Sequence, residues 1–344
     1  MNYVSTKCVK RIETYKIRTS NSPTKAPKKM LLPISFGPSS MSLLYILDNQ
    51  LQSQIKRMGR TNYELYPVFV ACGPYSVAER ESLDMKLKES SIRFPTFNFI
   101  KSDLTRAIDP DIVDLKAAGI EIAQSSMEIT PEQRLQNIFD VMPSSSSKAD
   151  LKATLMTRLF VDLAKTHKCE SILFGDSTTR LAEKTLSETS MGRGFSLPWQ
   201  VSDGMSPYGV DFRYPLRDLL KKELVTFTTL IEPSLTNLVI SEASKTNVSA
   251  SAKSTTIDDL MAQYFESVEE NFPSIVANVV RTTSKLQPAS NIGSTACALC
   301  GLPVAEGTDG IHGWGGDQSF DARQTKKADD HATLCYGCSR SVNG

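Results

Sequence analysis

The chain has 344 residues, 40% of them hydrophobic and 22% charged, which is typical of a folded protein with one large or two medium domains. Its 39 Lys and Arg residues balance 38 Asp and Glu residues, and a formal charge of +1 excludes a strong overall attraction to nucleic acid or membranes. No stretch has the roughly 20 apolar residues of a membrane helix, and the start lacks the apolar core of a signal peptide. We therefore expect a cytoplasmic protein with no membrane partner, in which the seven cysteines are reduced.

Basic residues are concentrated in residues 1–29, which we interpret as a basic N-terminal segment. Eight lysines and arginines there face a single acid, Glu13. Two interpretations remain open for this segment. It is either a solvated tail or an arm whose cations contact phosphates, as RNA-binding arms do.

Strand and helix patterns alternate through residues 30–240, which we interpret as one α/β domain. The apolar run at 30–36 predicts a buried strand, and after Gly37 and Pro38 the leucine spacing at 43–55 predicts an amphipathic helix. Strands separated by helices form a doubly wound parallel sheet. The later elements are predicted in this order: a strand at 66–71, a helix at 77–91, a strand at 93–100, a helix at 148–167, a strand at 170–175, a helix at 176–189 and a helix at 213–231.

Two helices and a linker are expected after the α/β domain. Residues 241–256 are rich in Ser, Thr, Ala and Lys and lack apolar periodicity, so we interpret them as the linker. The C-terminal helices are expected within 257–290, the second beginning at Pro273. Apolar residues at helical spacing in the first of these helices are expected to pack in the core: Leu260, Met261, Tyr264, Phe265 and Val268.

Two loops of the predicted sheet are candidates for a nucleotide pocket. Parallel strands end at a common edge, so the loops at 35–40 and 175–180 are expected to lie close together. Small residues in the first loop let backbone N–H groups approach phosphate at the start of a helix, although Phe36 adds bulk and Pro38 removes a donor. The alternative is an ordinary turn between a strand and a helix. The candidate pocket residues are Ser35, Gly37, Ser39, Ser40, Gly175 and Asp176.

Four cysteines near the C-terminus form two CxxC pairs separated by 34 residues. Two such pairs bind one tetrahedral Zn²⁺ and leave it no open position, so the spacing predicts a structural zinc ribbon within 291–344. The other interpretation is four reduced cysteines in an ill-ordered tail. His312 and His331 lie between the pairs and are expected to be surface groups. The candidate zinc ligands are Cys297, Cys300, Cys335 and Cys338.

Six motifs occur together in an order that resembles one known family. The motifs are LLPISFGPSS, SILFGDSTTRLAEKTLSETSMGRGFSLPW, YPLRDLLKKELVTF, FPSIVANVVRTTSKL, CALC and LCYGC. Over about residues 30–340 they are similar to the cytoplasmic tRNA 2-thiolation protein 2 family. The resemblance implies a PP-loop ATP-pyrophosphatase fold and a part in 2-thiolation of the wobble uridine of tRNA. It also implies a catalytic partner, cytoplasmic tRNA 2-thiolation protein 1, and a sulfur donor that is a ubiquitin-related modifier with a C-terminal thiocarboxylate.

Departures from the pattern of active PP-loop enzymes indicate a non-catalytic subunit. Those enzymes have Ser-Gly-Gly-x-Asp-Ser in the first loop, where this chain has Phe36 at the second position and Ser39 in place of the acid. Both changes are expected to weaken the binding of ATP and Mg²⁺, the first by narrowing the loop. A CxxC pair of the active relatives is replaced here by serines at 144–147, which cannot transfer sulfur as a thiolate does.

The resemblance and the departures from it leave three functions open. The first is a non-catalytic subunit that supports the catalytic partner and binds tRNA, the second is an autonomous ATP-dependent tRNA sulfurtransferase, and the third is a zinc-ribbon interaction module without a role in RNA. Family members normally begin with a further cysteine-rich zinc knuckle, of which this chain has only Cys8. For the first function, the candidate contacts to RNA phosphates are Lys28, Lys29, Arg180 and Arg193.

Overall fold

The computed structural model describes residues 2–15, 27–73, 75–120, 129–240, 255–288, 292–305 and 333–344. Most of the predicted linker lies outside these residues, as do His312 and His331. The helices are α1 (Asn2–Tyr15), α2 (Pro38–Met58), α3 (Val77–Arg93), α4 (Pro131–Asp140), α5 (Ser145–Thr166), α6 (Thr178–Ser190), α7 (Leu197–Gln200), α8 (Lys221–Leu230), α9 (Ile257–Asn271), α10 (Pro273–Thr283) and α11 (Tyr336–Asn343). The strands are β1 (Lys28–Ile34), β2 (Tyr63–Ala71), β3 (Ile100–Asp103), β4 (Ser171–Leu173), β5 (Gly204–Met205), β6 (Asp211–Arg213), β7 (Ile292–Ala296) and β8 (Pro303–Ala305). None of the described helices has the length and apolar composition needed to span a membrane.

Six strands form one sheet in the order β3-β2-β1-β4-β6-β5. Neighbouring strands are parallel except for the short edge strand β5, which is antiparallel to β6. Strand β1 lies near the centre, where Met30 pairs with Leu65 of β2 on one side and with Ser171 of β4 on the other. The chain winds outward from β1 to β3, returns to the centre at β4 and winds outward again, which confirms the predicted doubly wound α/β fold.

The sheet is buried on both faces by two separate cores. Alternate residues of β1 point to opposite sides, so that Leu31 lies in one core and Met30 and Leu32 lie in the other. Helices α5 and α6 contribute leucines to the first core, while α1, α2 and α8 contribute to the second. Because both faces are covered, most residues of the central strands β1 and β2 are apolar, as in parallel strands between helices.

The predicted strand at 93–100 is wrong, because the third strand is Ile100–Asp103. Helix α3 extends to the beginning of the predicted strand, and Phe94 and Phe97 are buried in the core below the sheet instead of pairing within it. Pro95 has no N–H to donate to a neighbouring strand, so strand pairing begins only after it.

The predicted helix at 213–231 is shorter than expected. Its first residue ends β6, and α8 begins only at Lys221, where the Glu223 carboxylate accepts the Leu220 backbone N–H at 2.8 Å. Residues 214–220 form a loop at the carboxyl end of β6 that fully buries Tyr214, Leu216 and Leu219. Helical spacing alone did not reveal this loop, because the burial of these side chains determines its conformation.

The N-terminal segment begins with a docked helix, α1, so its interpretation as a solvated tail is wrong for these residues. Val4, Cys8 and Ile12 recur every four residues and are buried in the same core as α2 and α8. Burial raises the pKa of the Cys8 thiol, which therefore stays neutral and acts as a small apolar side chain. On another side of the helix, the Arg11 Nε lies 2.8 Å from the Asp218 carboxylate in the loop after β6.

The apolar stripe of α9 is only partly buried, contrary to the expected core packing. Phe265 is 1% exposed, whereas Leu260 and Tyr264 are 51% and 52% exposed. Next to Phe265, the buried Glu269 carboxylate accepts a hydrogen bond from the Thr179 hydroxyl of α6. Helix α9 is thus held to the domain along one edge, and its other edge exposes large apolar side chains.

Helix α11 is docked on the α/β domain through a buried arginine. Arg193, in the loop after α6, is 3% exposed, and its Nε lies 2.7 Å from the Glu188 carboxylate. Its Nη1 lies 3.0 Å from the carboxylate of Asp150 on α5, which also accepts the Ser341 hydroxyl of α11. A Cβ atom at Gly337 of α11 would lie only 2.5 Å from the Arg193 side chain, so α11 packs directly against it.

Arg193 is therefore enclosed by protein, and the expectation that it contacts RNA phosphates is wrong. Burial opposes its charge, but the Glu188 and Asp150 carboxylates outweigh burial and raise the pKa of Arg193 above its ordinary value. The guanidinium joins α5, α6 and α11 in one charged cluster, which is a structural role.

Replacing Arg193 with methionine leaves Asp150 and Glu188 buried without a counter-charge. We expect R193M to lose about 3–5 kcal/mol of unfolding free energy in urea denaturation, because breaking one side of a buried ion pair has a cost of that size. The matched control is R106M, since the Arg106 and Asp162 side chains of that ion pair are 46% and 30% exposed. An exposed pair contributes about 1 kcal/mol or less. Equal losses in the two variants would contradict the structural role of Arg193.

Candidate nucleotide pocket and metal centre

The loop between β1 and α2 folds back on itself through its serines. The Ser40 Oγ lies 3.2 Å from the Ser35 Oγ and accepts the Ser35 backbone N–H at 3.3 Å. The Ser40 hydroxyl also donates to the Gly37 carbonyl at 3.1 Å, and the Gly37 N–H donates to the Ser35 Oγ at 3.3 Å. Pro38 is at the start of α2, where its missing N–H costs the helix no hydrogen bond. The serine hydroxyls thus form hydrogen bonds with the backbone N–H and carbonyl groups at the tip of this loop.

Phe36 combines a backbone conformation that favours glycine with a buried ring. Its φ is 56°, in the left-handed region, and its ring centroid lies 5.1 Å from that of Phe69 in the core beneath the loop. The left-handed conformation costs about 1–2 kcal/mol for a residue with a Cβ atom, and burial of a phenylalanine ring stabilises by about as much. The expectation that Phe36 narrows the loop is wrong, because its bulk lies in the core.

The loops after β1 and β4 contact each other, as predicted. A Cβ atom at Gly175 would lie 3.0 Å from the Ser40 Cα and 3.3 Å from the Ser40 backbone nitrogen, so glycine permits this approach. Asp176 follows directly, and Ser177 caps the N-terminus of α6 by accepting the Arg180 backbone N–H at 3.2 Å. The six candidate pocket residues thus lie along one edge of the sheet.

A cavity of about 170 Å³ lies beside Asp176, between the end of β4 and the β7–β8 hairpin. Phe174 forms one wall, with its ring stacked on Tyr214 at 5.5 Å and the Lys184 Nζ 6.0 Å from its centre. Arg180 is exposed and also lines the cavity. Small-molecule sites in proteins have volumes of about 300–1,000 Å³. The cavity is smaller than this range, and Asp176 is the one member of the six candidate pocket residues in its lining.

Lys28 and Lys29, two of the predicted RNA contacts, lie at the opposite edge of the sheet from these loops. They begin β1, where the Lys28 Nζ is 3.4 Å from the Glu170 carboxylate and the Lys29 Nζ is 5.3 Å from the centre of the Tyr66 ring. The structure does not bring them together with Arg180, which lies at the carboxyl edge. Contacts of Lys28, Lys29 and Arg180 with phosphate remain predictions, and these residues do not form one site.

The N-terminus of α5 contains the serines at 144–147, where the resemblance implies a lost CxxC pair. Ser144 is the N-cap of the helix, and its Oγ accepts the Ser147 N–H at 3.0 Å. The Ser146 Oγ accepts the backbone N–H of Ile257 at 3.2 Å, which connects the start of α9 to α5. These hydroxyls therefore cap one helix and position another.

The four C-terminal cysteines converge at one point, as their spacing predicted. Their sulfur atoms all lie within 4.8 Å of one another, and all four side chains are buried. Cys297 and Cys300 come from the turn between β7 and β8, whereas Cys335 and Cys338 come from the start of α11. The Cys300 and Cys335 sulfurs are 3.8 Å apart, and four sulfurs bound to one zinc ion at 2.3 Å would be about 3.8 Å apart. The arrangement fits one tetrahedral metal ion.

The surroundings of Cys297 lower the pKa of its thiol. The neighbouring thiols of Cys300, Cys335 and Cys338 lower the pKa of Cys297, and the Cys335 backbone N–H donates to its sulfur at 3.3 Å. The same proximity raises the pKa of Cys300 and of Cys338. A cation at the centre would replace the shared protons and make all four sulfurs ligands. The donor set therefore suits a metal ion that binds thiolates.

The residues that position the cysteine cluster were not identified from the sequence. The Tyr208 hydroxyl donates to the Cys300 carbonyl at 2.6 Å, and Ser341 and Asp150 anchor the helix that contains Cys338. Tyr208 lies in a loop without apolar periodicity, and Ser341 is a single serine in a short helix, so neither has a local sequence signal. The one sequence signal near these residues was the MGRG motif of the family resemblance. It contains Arg193, which binds Asp150.

The doubly wound sheet, with a phosphate-turn-like loop after β1 that contacts the loop after β4, is the fold expected of a PP-loop ATP-pyrophosphatase-type α/β domain. Among solved structures, the chain resembles the U34-tRNA thiolase NcsA from Methanococcus maripaludis, which was determined with its [4Fe-4S] cluster. The two superpose with a TM-score of 0.55 over 89% of this chain and 85% of that chain at 13% sequence identity. At that identity the likeness shows the shared fold.

Sequence comparison then gives the family. A family model described as Cytoplasmic tRNA 2-thiolation protein 2 matches residues 256–340. A protein of that name from Pyrenophora tritici-repentis is 46% identical over 342 residues, covering 99% of this chain and 88% of the relative. Another, from Sclerotinia sclerotiorum, is 52% identical over 279 residues, covering 81% and 74%. The chain belongs to the cytoplasmic tRNA 2-thiolation protein 2 family.

Replacing Gly175 with alanine tests the contact between the two loops. We expect G175A to lose about 1–3 kcal/mol of unfolding free energy in urea, because its Cβ atom would press on the backbone of Ser40. Gly194 is the matched control, since a Cβ atom there has no neighbouring atom within 4 Å. G194A is expected to change stability by about 0.5 kcal/mol or less. Full stability of G175A would show that the loops are not packed as described.

Proposed function

We propose that this chain is a non-catalytic subunit of the cytoplasmic complex that 2-thiolates the wobble uridine of tRNA. Its role is to bind tRNA and to support a catalytic partner. One observation supports this most directly: a PP-loop scaffold in which serines occupy the positions that the chemistry needs for a carboxylate and for thiols. They are Ser39 in the first loop and residues 144–147 at the start of α5.

The first loop is better suited to join two elements than to activate ATP. A hydroxyl at Ser39 is neutral and is a weaker ligand for Mg²⁺ than a carboxylate. Ser35, Gly37 and Ser40 form hydrogen bonds with one another, and the nearby cavity of about 170 Å³ is small. We therefore assign the loop a structural role and do not assign ATP as a cofactor.

Sulfur transfer requires a thiolate near the reacting base, and the residues at the start of α5 do not supply one. A serine hydroxyl has a pKa far above that of cysteine and needs a neighbouring base to act as a nucleophile. Burial raises the pKa of Cys169 to about 11, so this thiol stays protonated near neutral pH. These features favour a reaction carried out by the partner.

Exposed apolar residues on α9, on α10 and between them support a partner surface. Leu260, Tyr264, Phe272 and Ile275 are each 45–59% exposed. They lie within residues 256–340, the span that the family model matches. Clusters of exposed apolar side chains are typical of protein interfaces. We assign this surface to the partner that the resemblance implies, cytoplasmic tRNA 2-thiolation protein 1, which receives sulfur from a ubiquitin-related modifier with a C-terminal thiocarboxylate.

We assign zinc to the cysteine cluster. An iron–sulfur cube, such as the one in the NcsA structure, places iron and sulfide between the cysteine sulfurs, whereas the four sulfurs here lie within 4.8 Å of one another. Zinc bound by Cys297, Cys300, Cys335 and Cys338 would have no open position, so it would stabilise the ribbon and would not activate water.

Thiolation of tRNA in vitro tests the assignment as a subunit. The purified chain, the purified partner and the two together are each incubated with tRNA, ATP, Mg²⁺ and the sulfur donor, and both AMP and thiolated tRNA are measured. We expect thiolation from the pair and no AMP above background from this chain alone, because Ser39 and the serines of α5 replace the groups that the reaction needs. Thiolation by the isolated chain would favour the alternative, an autonomous ATP-dependent tRNA sulfurtransferase.

Metal analysis of the purified protein tests the zinc assignment. We expect about one equivalent of zinc and no iron, with most of the zinc lost in C300S because three thiolates no longer close the site. The control is C72S, since Cys72 lies outside the cluster. Stoichiometric iron with visible absorption, or a C300S protein that retains its zinc, would contradict the assignment.

A further inference from the structure

A groove of about 700 Å³ lies between α1, α10 and the loop after β6, and the proposed function does not yet use it. Its lining includes Thr178, the first residue of α6, and Arg217, which follows β6. Both positions are at the carboxyl edge of the sheet, where the loops after β1 and β4 also lie. The groove therefore opens next to the candidate nucleotide pocket.

Cations outnumber acids in this groove. The lining contains the basic residues Lys7, Lys10, Arg11, Arg217 and Arg281, and the acids Asp218 and Glu223. Since the whole chain has a formal charge of only +1, the excess positive charge here is local.

Both acids of the groove are already bound by protein groups. The Asp218 carboxylate lies 2.8 Å from the Arg11 Nε, and the Glu223 carboxylate accepts the Leu220 backbone N–H at 2.8 Å. Arg217 is buried and lies 3.7 Å from the Asp203 carboxylate. The remaining cations are those of Lys7, Lys10 and Arg281.

These three cations face the groove without an acid to neutralise them. Lys7 donates to the Asp218 backbone carbonyl at 3.1 Å, and Arg281 lies 3.4 Å from the Asn278 side-chain oxygen, so their charges are retained. Within the part of the chain that the structure describes, no carboxylate lies within 4 Å of any of the three. Lys10 and Arg281 are exposed on α1 and α10, on opposite sides of the groove.

The walls of the groove also suit a nucleic acid. Tyr3 is 53% exposed at one side, with the Lys7 Nζ 4.4 Å from the centre of its ring, and this arrangement provides an aromatic face next to a cation. Single-stranded nucleic acid is bound by grooves of this kind, in which cations contact the phosphates and aromatic rings stack with bases. The apolar side chains of Leu220, Ala277 and Val280 complete the lining.

We propose that this groove binds the phosphate backbone of the tRNA and leads the strand to the carboxyl edge of the sheet. Lys7, Lys10 and Arg281 contact the phosphates, and Tyr3 stacks with a base. The proposal rests on the proposed function, since it names the surface through which that subunit binds tRNA. An acidic protein segment would use the same cations but would not need the exposed ring.

Charge reversal on both sides of the groove tests the proposal. Fluorescence anisotropy measures the affinity of K10E/R281E for labelled tRNA at several KCl concentrations, using the full chain and the same chain in complex with its catalytic partner. We expect the affinity to fall at least about tenfold. The slope of log K against log salt concentration is expected to become about 1–2 less steep, because each phosphate contact that is lost no longer releases counterions. Thermal melting of the variant is expected to be unchanged, since both residues are exposed.

The matched control is R57E/K88E, which makes the same change of charge at exposed positions on α2 and α3. Arg57 lies at the end of α2, away from the carboxyl edge, and Lys88 lies on the helix beside the outer strands β2 and β3. We expect this variant to bind tRNA nearly as tightly as the wild type. Similar losses in the two variants would overturn the proposal, because the effect would then come from total charge.

Two other outcomes would overturn the proposal in different ways. If the wild type binds tRNA and K10E/R281E binds it equally well, the groove is not the tRNA surface, although the proposed function stands. If the wild type binds no tRNA either alone or in the complex, the proposed tRNA-binding role fails together with the groove. Displacement of tRNA by polyglutamate of equal charge at similar concentrations would assign the groove to an acidic protein segment instead.

Discussion

The packing of α5, α6 and α11 depends on one buried guanidinium. Arg193 is stable inside the protein because its planar donors match two carboxylates, one on α5 and one on α6, so that its charge is neutralised and its hydrogen bonds are satisfied. The Asp150 carboxylate also accepts the Ser341 hydroxyl, which fixes α11. Since α11 contains Cys338 and begins directly after Cys335, an ion pair inside the α/β domain determines where half of the cysteine cluster lies.

The carboxyl edge of the sheet is held together by packing and by serine hydroxyls. Phe36 keeps the left-handed backbone that suits glycine, while its ring stabilises the core below, and Gly175 still allows the second loop to approach Ser40. The backbone path is therefore retained by packing forces that do not depend on a ligand. Serine hydroxyls form hydrogen bonds within the first loop and cap the start of α5.

Features with a local physical cause could be predicted from the sequence, whereas features set by long-range burial could not. Cys297, Cys300, Cys335 and Cys338 were identified because ligand spacing is local, and α5 because its leucines recur every four residues. Arg193 was misassigned because a sequence shows a charge but not its burial. The aromatic run at 93–100 suggested a strand, although Phe94 and Phe97 fill the core instead.

Two further elements had readable signals that the sequence analysis did not use. The spacing of Val4, Cys8 and Ile12 indicates the buried side of α1, and Thr130 and Gln133 form a capping box that marks the start of α4. The basic groove needs α1 and α10 side by side, so no local pattern reveals it.

The shortness of α11 has a consequence for the cysteine cluster. A helix of eight residues is unstable by itself, so it forms because it is fixed at both ends, by the cysteines at its start and by Asp150 near its end. Any ion bound by the cysteines is therefore in thermodynamic linkage with the α5–α6 packing around Arg193. Loosening either end weakens the other by the same free energy, so metal retention and the integrity of the α/β domain form a single cooperative property.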